Sequence, residues 1–405
     1  MNPIYLDYNA TTPCDPRVVQ AMLPYFTEIY GNPANGLHVL GRKASRAVET
    51  AREQAAALLQ ARPSEIFFTS GATESNHLAI LGTAEYAPPG RRKVITCAIE
   101  HKSVLAPLHR LRERGFEVAV LPVDRNGLVR LADLESALDG EAFLVSIQAA
   151  NNEIGVLQPI AEIAALAHRH GALVHTDATQ AVGKIPVDVN VWGVDLLSFS
   201  AHKLYGPKGV GGLYVRGGKR QIPIRPLLEG GGQESGLRSG TSNVAGIVGL
   251  GIACQIAHEA LPVESERLQT LRDELEESLL ASVPDLKINA RAAPRLPNTT
   301  NLTLAGIEAD ALLLQMPHLM MSTGAACNTG ALEPSHVLQS IGLSREQASS
   351  SIRISLGRMT QAEQIPLIAQ SIVAAIGGLK TGPAAAAAAA GCGSSCHNLR
   401  YSYSH

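Results

Sequence analysis

Residues 194–203 read Val-Asp-Leu-Leu-Ser-Phe-Ser-Ala-His-Lys, and Gly206-Pro207-Lys208-Gly209-Val210-Gly211-Gly212 follows closely. An apolar strand runs up to Ser198–Ser200 and releases Lys203 at its end, just before a glycine-rich turn. Lysine is seldom taken out of water without a reason. A partly desolvated amine has a lowered pKa, which suits a covalent link to an aldehyde. The hydroxyl of Ser200 and the imidazole of His202 are suited to holding a phosphate beside it. Read alone, Lys203 is more simply a solvated strand-end lysine. The chain has only 9 lysines against 25 arginines, so each one can be weighed individually.

A second strand points the same way. Ala172-Leu173-Val174-His175-Thr176-Asp177-Ala178-Thr179-Gln180 is apolar up to Asp177. A carboxylate there can keep a pyridine nitrogen protonated and so make the ring an electron sink. It can also be an ordinary helix cap. In Thr69-Ser70-Gly71-Ala72-Thr73-Glu74-Ser75-Asn76 a strand ends, a glycine turns, and hydroxyl residues open a helix. Free N–H groups and the helix dipole at such a place attract an anion. No Walker-type loop and no clean Gly-x-Gly-x-x-Gly is present, which argues against nucleotide loops.

Working outward, short apolar runs at 65–69, 93–97, 143–148, 172–176 and 196–200 alternate with helical stretches. Unbroken apolar runs between helices predict a mostly parallel sheet covered on both faces, hence an α/β domain. A helix is predicted over 44–60 from its stripe of Ala47, Ala51, Ala55 and Leu58. Two further helices are predicted, one near 244–260 and one carrying Leu268, Leu271, Leu275 and Leu279 on one face. Shorter strands at 286–290 and 299–304 predict a smaller α+β domain. The expected division is an N-terminal segment 1–15 packing with the small domain, a large domain 16–256, a small domain 257–382 and a tail 383–405.

Composition limits the alternatives. The chain has 405 residues, 45% of them hydrophobic and 17% charged, with net charge −2. Such a chain buries a core and is not disordered. It offers no basic field for nucleic acid, so no direct nucleic-acid contact is expected. No unbroken apolar run of membrane-spanning length is read in it, and no cationic-then-apolar leader opens it. Six cysteines are too few for a disulfide framework, which fits a reducing, cytoplasmic compartment. Cys392, Cys396 and His397 in the tail make too small a ligand set for a metal site, so none is expected. Cys14, Cys97 and Cys254 sit in element-like or entry contexts and are expected to be inert.

Taken together, the anion cup near 70, the strand-end carboxylate at 177 and the lysine at 203 resemble the fold-type I pyridoxal phosphate (PLP) enzymes. The resemblance sharpens in Tyr5-Leu6-Asp7-Tyr8-Asn9-Ala10-Thr11-Thr12, Gly31-Asn32-Pro33, Glu100-His101-Lys102-Ser103-Val104, Asn151-Asn152-Glu153-Ile154-Gly155, Arg238-Ser239-Gly240-Thr241 and Leu332-Glu333-Pro334-Ser335-His336. Over about residues 3–375 these motifs are similar to those of cysteine desulfurases, in the NifS/IscS-like branch. The resemblance implies a fold-type I transferase with a large PLP-binding domain, a mixed and mostly parallel sheet, and a smaller α+β domain.

It also implies roles. Lys203 would form the covalent link to PLP. Asp177 would face the pyridine nitrogen, Gln180 the ring hydroxyl, and His101 would stack on the ring. Ala72, Thr73, Ser200 and His202 would hold the phosphate, joined by Thr241 from the neighbouring subunit of a homodimer. Asn152 and Arg353 would bind the carboxylate of L-cysteine. Cys327, in Ser322-Thr323-Gly324-Ala325-Ala326-Cys327-Asn328-Thr329-Gly330, would take the sulfur as a persulfide and pass it to an acceptor protein, leaving L-alanine. The small and polar residues around Cys327 predict an accessible loop. Where the family pattern is Ser-Gly-Ser-Ala-Cys-Thr-Ser, this chain has Thr-Gly-Ala-Ala-Cys-Asn-Thr. The acceptor pathways implied are iron–sulfur cluster assembly, tRNA thiolation and DNA phosphorothioation. The alternative is another fold-type I PLP enzyme, a selenocysteine lyase or an aminotransferase.

Overall fold

Leu-Leu-Ser-Phe-Ser at 196–200 is a strand buried at every position, as its apolar run requires. It lies inside the larger of three sheets in a computed structural model that describes residues 3–323 and 334–381. The strands in chain order begin with β1 (Ile4–Tyr5). Seven then form the large sheet: β2 (Ile66–Thr69), β3 (Lys93–Cys97), β4 (Glu117–Leu121), β5 (Ala142–Ser146), β6 (Leu173–Asp177), β7 (Leu196–Ser200) and β8 (Gly211–Val215). Four more follow: β9 (Leu286–Ile288), β10 (Thr299–Leu304), β11 (Leu319–Met320) and β12 (Ser351–Ser355).

The large sheet has the order β2-β8-β7-β6-β5-β3-β4. Only β8 runs against the rest: it pairs antiparallel with both β2 and β7, while the other pairs are parallel. The expected mixed, mostly parallel sheet is what forms. Because β2, β3, β5, β6 and β7 share one direction, Ser70, His101, Gln148, Asp177 and Ser200 all emerge near one edge. In open α/β sheets the crevice outside the carboxyl ends of the strands is where ligands bind.

Within the large sheet the sequence reading missed two strands. β4 is an edge strand with mostly exposed or half-exposed side chains, so its apolar signal is diluted. β8 is opened by two glycines. A Cβ on Gly211 would stand 2.6 Å from the Phe199 carbonyl oxygen and 2.7 Å from the Gly71 Cα. The glycines that hide the strand from propensity are what let β8 lie against the turn at 71.

The predicted helix over 44–60 runs Val39–Leu59, with the His38 ring accepting a cap hydrogen bond from the Gly41 N–H. The two helices predicted around 244–282 are one, Val244–Ser282, continuous through Pro262. Proline interrupts a helix by removing an N–H and crowding the carbonyl one turn back. Pro262 is on an exposed stretch of this helix, where water can take the freed carbonyl. The boundary expected at 256/257 therefore falls within a continuous helix. An 18-residue window of it has mean hydropathy 1.5, long and apolar enough to cross a membrane by composition, yet 61% of that window is buried inside the fold. It packs on the helix Val39–Leu59, which is why it is apolar.

A second apolar cluster gathers Leu268, Leu271, Leu275 and Leu279 of the long helix against Leu302, Leu304, Ile352 and Ile354 of the antiparallel β12-β10-β9 sheet. Leu6 lies in the same cluster, and β1 pairs parallel with β11. The tail from 382 on, with Cys392 and Cys396, lies outside the described residues.

Gly211→Ala is expected to lower stability by about 1–3 kcal/mol, because the added methyl meets backbone rather than a movable side chain. Chemical denaturation of the variant beside the parent checks this. An unchanged midpoint would contradict the close approach of β8 to residue 71.

Candidate active site

One cavity of about 620 Å³ opens at the carboxyl edge of the large sheet. Ten of the residues singled out in the sequence line it: Ala72, Thr73, His101, Asn152, Asp177, Gln180, Ser200, His202, Lys203 and Arg353. They come from six separate stretches of chain. Thr241 is exposed and does not line the cavity of its own chain. Cys327 lies outside the described residues.

Lys203 sits on a short 3₁₀ turn directly after β7. Its Nζ donates to the main-chain carbonyls of Asn9 at 2.6 Å and Ala10 at 2.7 Å. Those acceptors come from the N-terminal segment, so the amine is held by residues nearly two hundred positions away. Beside it, His202 shares a hydrogen bond with the Thr11 hydroxyl at 3.1 Å. Burial, reinforced by Lys203 and Lys208, pushes the His202 pKa down to about 4, so the ring is neutral at pH 7.

Asp177 closes β6 and is buried. Its Oδ1 accepts the Thr179 N–H at 3.0 Å and its Oδ2 accepts Asn76 Nδ2 at 2.8 Å. Asn76 also donates to the Ser103 hydroxyl at 2.9 Å. That hydroxyl lies 2.7 Å from His101 Nδ1, and the Ser103 N–H donates to the same nitrogen at 3.1 Å. A main-chain N–H can only donate, so Nδ1 is an acceptor and the neutral ring carries its proton on Nε2. Burial lowers the pKa of His101 despite the opposing pull of Asp177. Asn76 thus ties the strand-end carboxylate to the tautomer of the cavity histidine. The sequence reading quoted Asn76 only as part of a helix opening and gave it no role. Polar side chains facing inward on an apolar helix were the available signal.

Arg353 is in β12 and almost wholly buried. Its Nη2 pairs with Asp7 Oδ1 at 2.5 Å and its Nη1 donates to the Asn152 carbonyl at 2.9 Å. Its Nε has no partner among the described residues. The guanidinium is therefore both an ion-pair partner and a wall of the cavity. Asn9, also unassigned in the sequence, is a hub. Its carbonyl accepts from Lys203 and from Gln180 Nε2, and its Nδ2 donates to Thr299 Oγ1 and the Asn152 carbonyl.

At the anion end, the helix Ala72–Ala84 begins at Gly71, which has φ +154°. A Cβ there would project to within 3.8 Å of Ser200 Oγ, into the space between the helix start and β7. Glu74 stands at the same place, but its carboxylate is occupied by the Ser70 N–H at 2.7 Å and Arg238 Nε at 3.1 Å. Lys208 adds positive charge to the wall.

A family model described as aminotransferase class-V matches residues 4–368. The chain belongs to the aminotransferase class-V family. Among similar curated proteins, "Cysteine desulfurase IscS" of Anaeromyxobacter dehalogenans is 47% identical over 363 residues, covering 90% of each chain. "Cysteine desulfurase IscS" of Rickettsia akari is 45% identical over 363 residues, covering 90% of this chain and 88% of that one. Among solved structures, a "NIFS-LIKE PROTEIN" superposes with TM-score 0.85 at 40% identity, covering 93% of this chain and 99% of the other. The fold is accordingly that of the fold-type I PLP transferases, and family members are PLP-dependent.

The residues present fit PLP. The cavity volume is in the usual range for a cofactor plus a small substrate. The Lys203 amine reaches it from a strand end, a buried carboxylate faces it, and a helix start with a glycine in place of any side chain offers N–H groups to an anion. The Thr179 hydroxyl, buried at the wall, has no partner among the described residues.

Behind the site, Glu100 is fully buried, accepts from the Cys97 thiol at 3.0 Å and the Gln148 N–H at 2.7 Å, and is pushed by burial up to about 8. Burial likewise raises the thiols of Cys97 and Cys254, the latter to about 12, so neither is poised as a nucleophile. Cys14 is half-buried, and its pKa too is raised by burial.

Two outcomes are expected. Asn76→Ala should cost about 1–3 kcal/mol of unfolding stability and weaken cofactor retention, measured by denaturation and by PLP titration. The folded state favours the protonated form of Glu100, so its contribution is complete below the ordinary carboxyl value of 4.5 and declines as pH rises toward about 8. Glu100→Gln should flatten the loss of stability across that window in thermal melts taken at stepped pH. Parallel curves for variant and parent would refute the assignment.

Proposed function

We propose that this chain converts L-cysteine to L-alanine as a PLP-dependent cysteine desulfurase, passing the sulfur through a persulfide on Cys327 to an acceptor protein. The observation that carries the reading is one cavity in which Lys203, Asp177, His101 and Arg353 converge, in a chain 45–47% identical to proteins named cysteine desulfurase. PLP, when bound, supplies a ring that accommodates negative charge at the substrate α-carbon.

The chain's own residues do the rest. Lys203 would hold the PLP aldehyde and would serve as the base that moves the substrate α-proton. Asp177 keeps the proton on the ring nitrogen. Gln180 faces the ring hydroxyl, and Ala72, Thr73, Ser200 and His202 hold the phosphate. Arg353 and Asn152 take the substrate carboxylate; a planar guanidinium with an unused Nε suits that group. His101 stacks on the ring and, with its proton on Nε2, moves a proton at the substrate thiol or at Cys327. The substrate Cβ–S bond breaks, the sulfur bonds to the Cys327 thiolate, and the three-carbon remainder is protonated and leaves as alanine. No outside oxidant is needed, because the enzyme thiol ends as a persulfide while the substrate carbon is reduced.

The molecule acts as a homodimer in which Thr241 reaches the phosphate of the neighbouring subunit; its exposure outside its own cavity supports this. The apolar cluster of Leu268, Leu271, Leu275 and Leu279 with the β12-β10-β9 sheet and Leu6 supports a small domain, 257–382, with 1–15 packed on it, beside a large cofactor-binding domain, 16–256. The compartment is cytoplasmic. Iron–sulfur assembly, tRNA thiolation and DNA phosphorothioation are the candidate destinations of the sulfur. With a net charge of −2, nucleic acid would be contacted by the acceptor rather than by this chain.

Lys203→Ala should remove the visible absorbance of the PLP-loaded protein and lower alanine formation at least about a hundredfold. Cys327→Ala should keep the absorbance and lose persulfide transfer to a comparable degree. Sulfide release that survives Cys327→Ala would favour a lyase that needs no enzyme thiol. A parent protein that stays colourless with added PLP would refute the reading.

A further inference from the structure

A buried lysine stands behind the cavity with no assigned role. Lys184 is buried in a short turn after β6. Its Nζ donates to Gln180 Oε1 at 2.6 Å and to Asn9 Oδ1 at 3.1 Å. It makes no ion pair with any carboxylate among the described residues. The charged and titratable groups around it are Lys203 on the turn after β7, Arg353 on β12, His202, and Tyr8, Tyr205 and Glu264 about a small adjoining cavity. Burial and the two cations lower its pKa well below the usual lysine value. An amine kept in so unfavourable a place calls for a reason beyond packing.

The hydrogen-bond chemistry supplies one. A lysine amine that donates both bonds turns whatever faces it into an acceptor. At Gln180 it fixes the oxygen end of the amide, so the NH₂ end faces the other way, where one hydrogen goes to the Asn9 carbonyl at 2.9 Å. The second hydrogen has no acceptor among the described residues, and Gln180 lines the cavity. At Asn9 the oxygen end takes Lys184 and Asn298 Nδ2 at 3.2 Å, which leaves the Asn9 nitrogen for Thr299 and the Asn152 carbonyl. The Asn9 main-chain carbonyl that holds Lys203 is carried by this same clamped residue.

We propose that Lys184 is a positioning residue for the cofactor: by clamping the oxygen ends of the Gln180 and Asn9 amides it makes Gln180 present a donor, not an acceptor, to the cofactor ring. This rests on the PLP reading above and assigns a further residue to the same site. Were it absent, the Gln180 oxygen would be buried without a partner, and the amide would gain by turning over or swinging away.

The test is a double-mutant cycle on the full-length protein, read by equilibrium PLP titration and by the position of the visible absorbance maximum. Lys184→Met and Gln180→Leu should each weaken PLP binding about tenfold, the loss expected for one charge-assisted hydrogen bond. The double variant should be no weaker than about threefold beyond Gln180→Leu alone, because both changes remove one interaction. Both single variants should shift the absorbance maximum in the same direction, which a loss of packing alone would not do. Lys184→Gln keeps one donor and should bind PLP closer to the parent; it also serves if the methionine variant fails to fold. Multiplying effects in the double variant (built with Lys184→Gln where the methionine variant fails to fold), or a Lys184→Met protein with parental affinity and spectrum, overturns the proposal. A parent that never becomes coloured overturns the PLP reading instead, so the two failures are distinct.

Discussion

The Lys203 amine rests on the main-chain carbonyls of Asn9 and Ala10, and most of the cavity depends on that contact. It closes a gap of nearly two hundred residues and brings the N-terminal segment over the carboxyl edge of the sheet. The same segment supplies Asp7 to Arg353 and Thr11 to His202. It also sends Leu6 into the second apolar cluster, and β1 alongside β11. One short stretch therefore joins the large sheet, the small sheet and the reactive amine. Main-chain carbonyls suit this task because they hold an ammonium without neutralising it.

Charge is arranged around the cavity so that few groups titrate near neutrality. His101 and His202 are held neutral by burial, and Glu74 is spent on Arg238 and a main-chain N–H. Lys208 lines the same cavity, and Arg353, ion-paired with Asp7, has an Nε with no partner among the described residues. A neutral histidine with its proton on a known nitrogen offers the cavity a hydrogen-bond donor of fixed direction. Asn76 and Lys184 do complementary work from behind. One is a donor bridging Asp177 and Ser103, and the other is a donor facing Gln180 and Asn9. Buried polar networks of this kind hold geometry to the extent that their members are satisfied; the Gln180 and Asn9 amides are partnered at both ends, while the Asn76 Oδ1 has no partner among the described residues.

Much of this was legible before any coordinates. The strand-end positions of Asp177 and Lys203 follow from apolar runs that stop at a polar residue, and the anion cup at 71–73 follows from a glycine before a helix. What stayed hidden has identifiable causes. β8 was missed because its glycines, needed for close approach to Gly71, carry no strand propensity. The long helix was read as two because its apolar positions before 260 and from Leu268 on are separated by a stretch, 258–266, with no buried residue. Asn9, Asn76 and Lys184 were passed over because much of their meaning lies in distant partners, 101 positions from Asn76 to Asp177, 175 from Lys184 to Asn9 and 289 from Asn9 to Asn298.

By itself the amino-acid sequence determined the α/β class, the alternation that makes the sheet mostly parallel, and which chemical types stand at strand ends, since these rest on periodicity and local turn chemistry. Only the tertiary structure decided that six separate stretches share one cavity, which nitrogen of His101 carries the proton, and which way the Gln180 amide points. The first needs contacts across long chain separations; the other two turn on directional hydrogen bonds, from the Ser103 N–H to His101 and from Lys184 to Gln180, and a bond's direction leaves no periodic trace in the residues that make it.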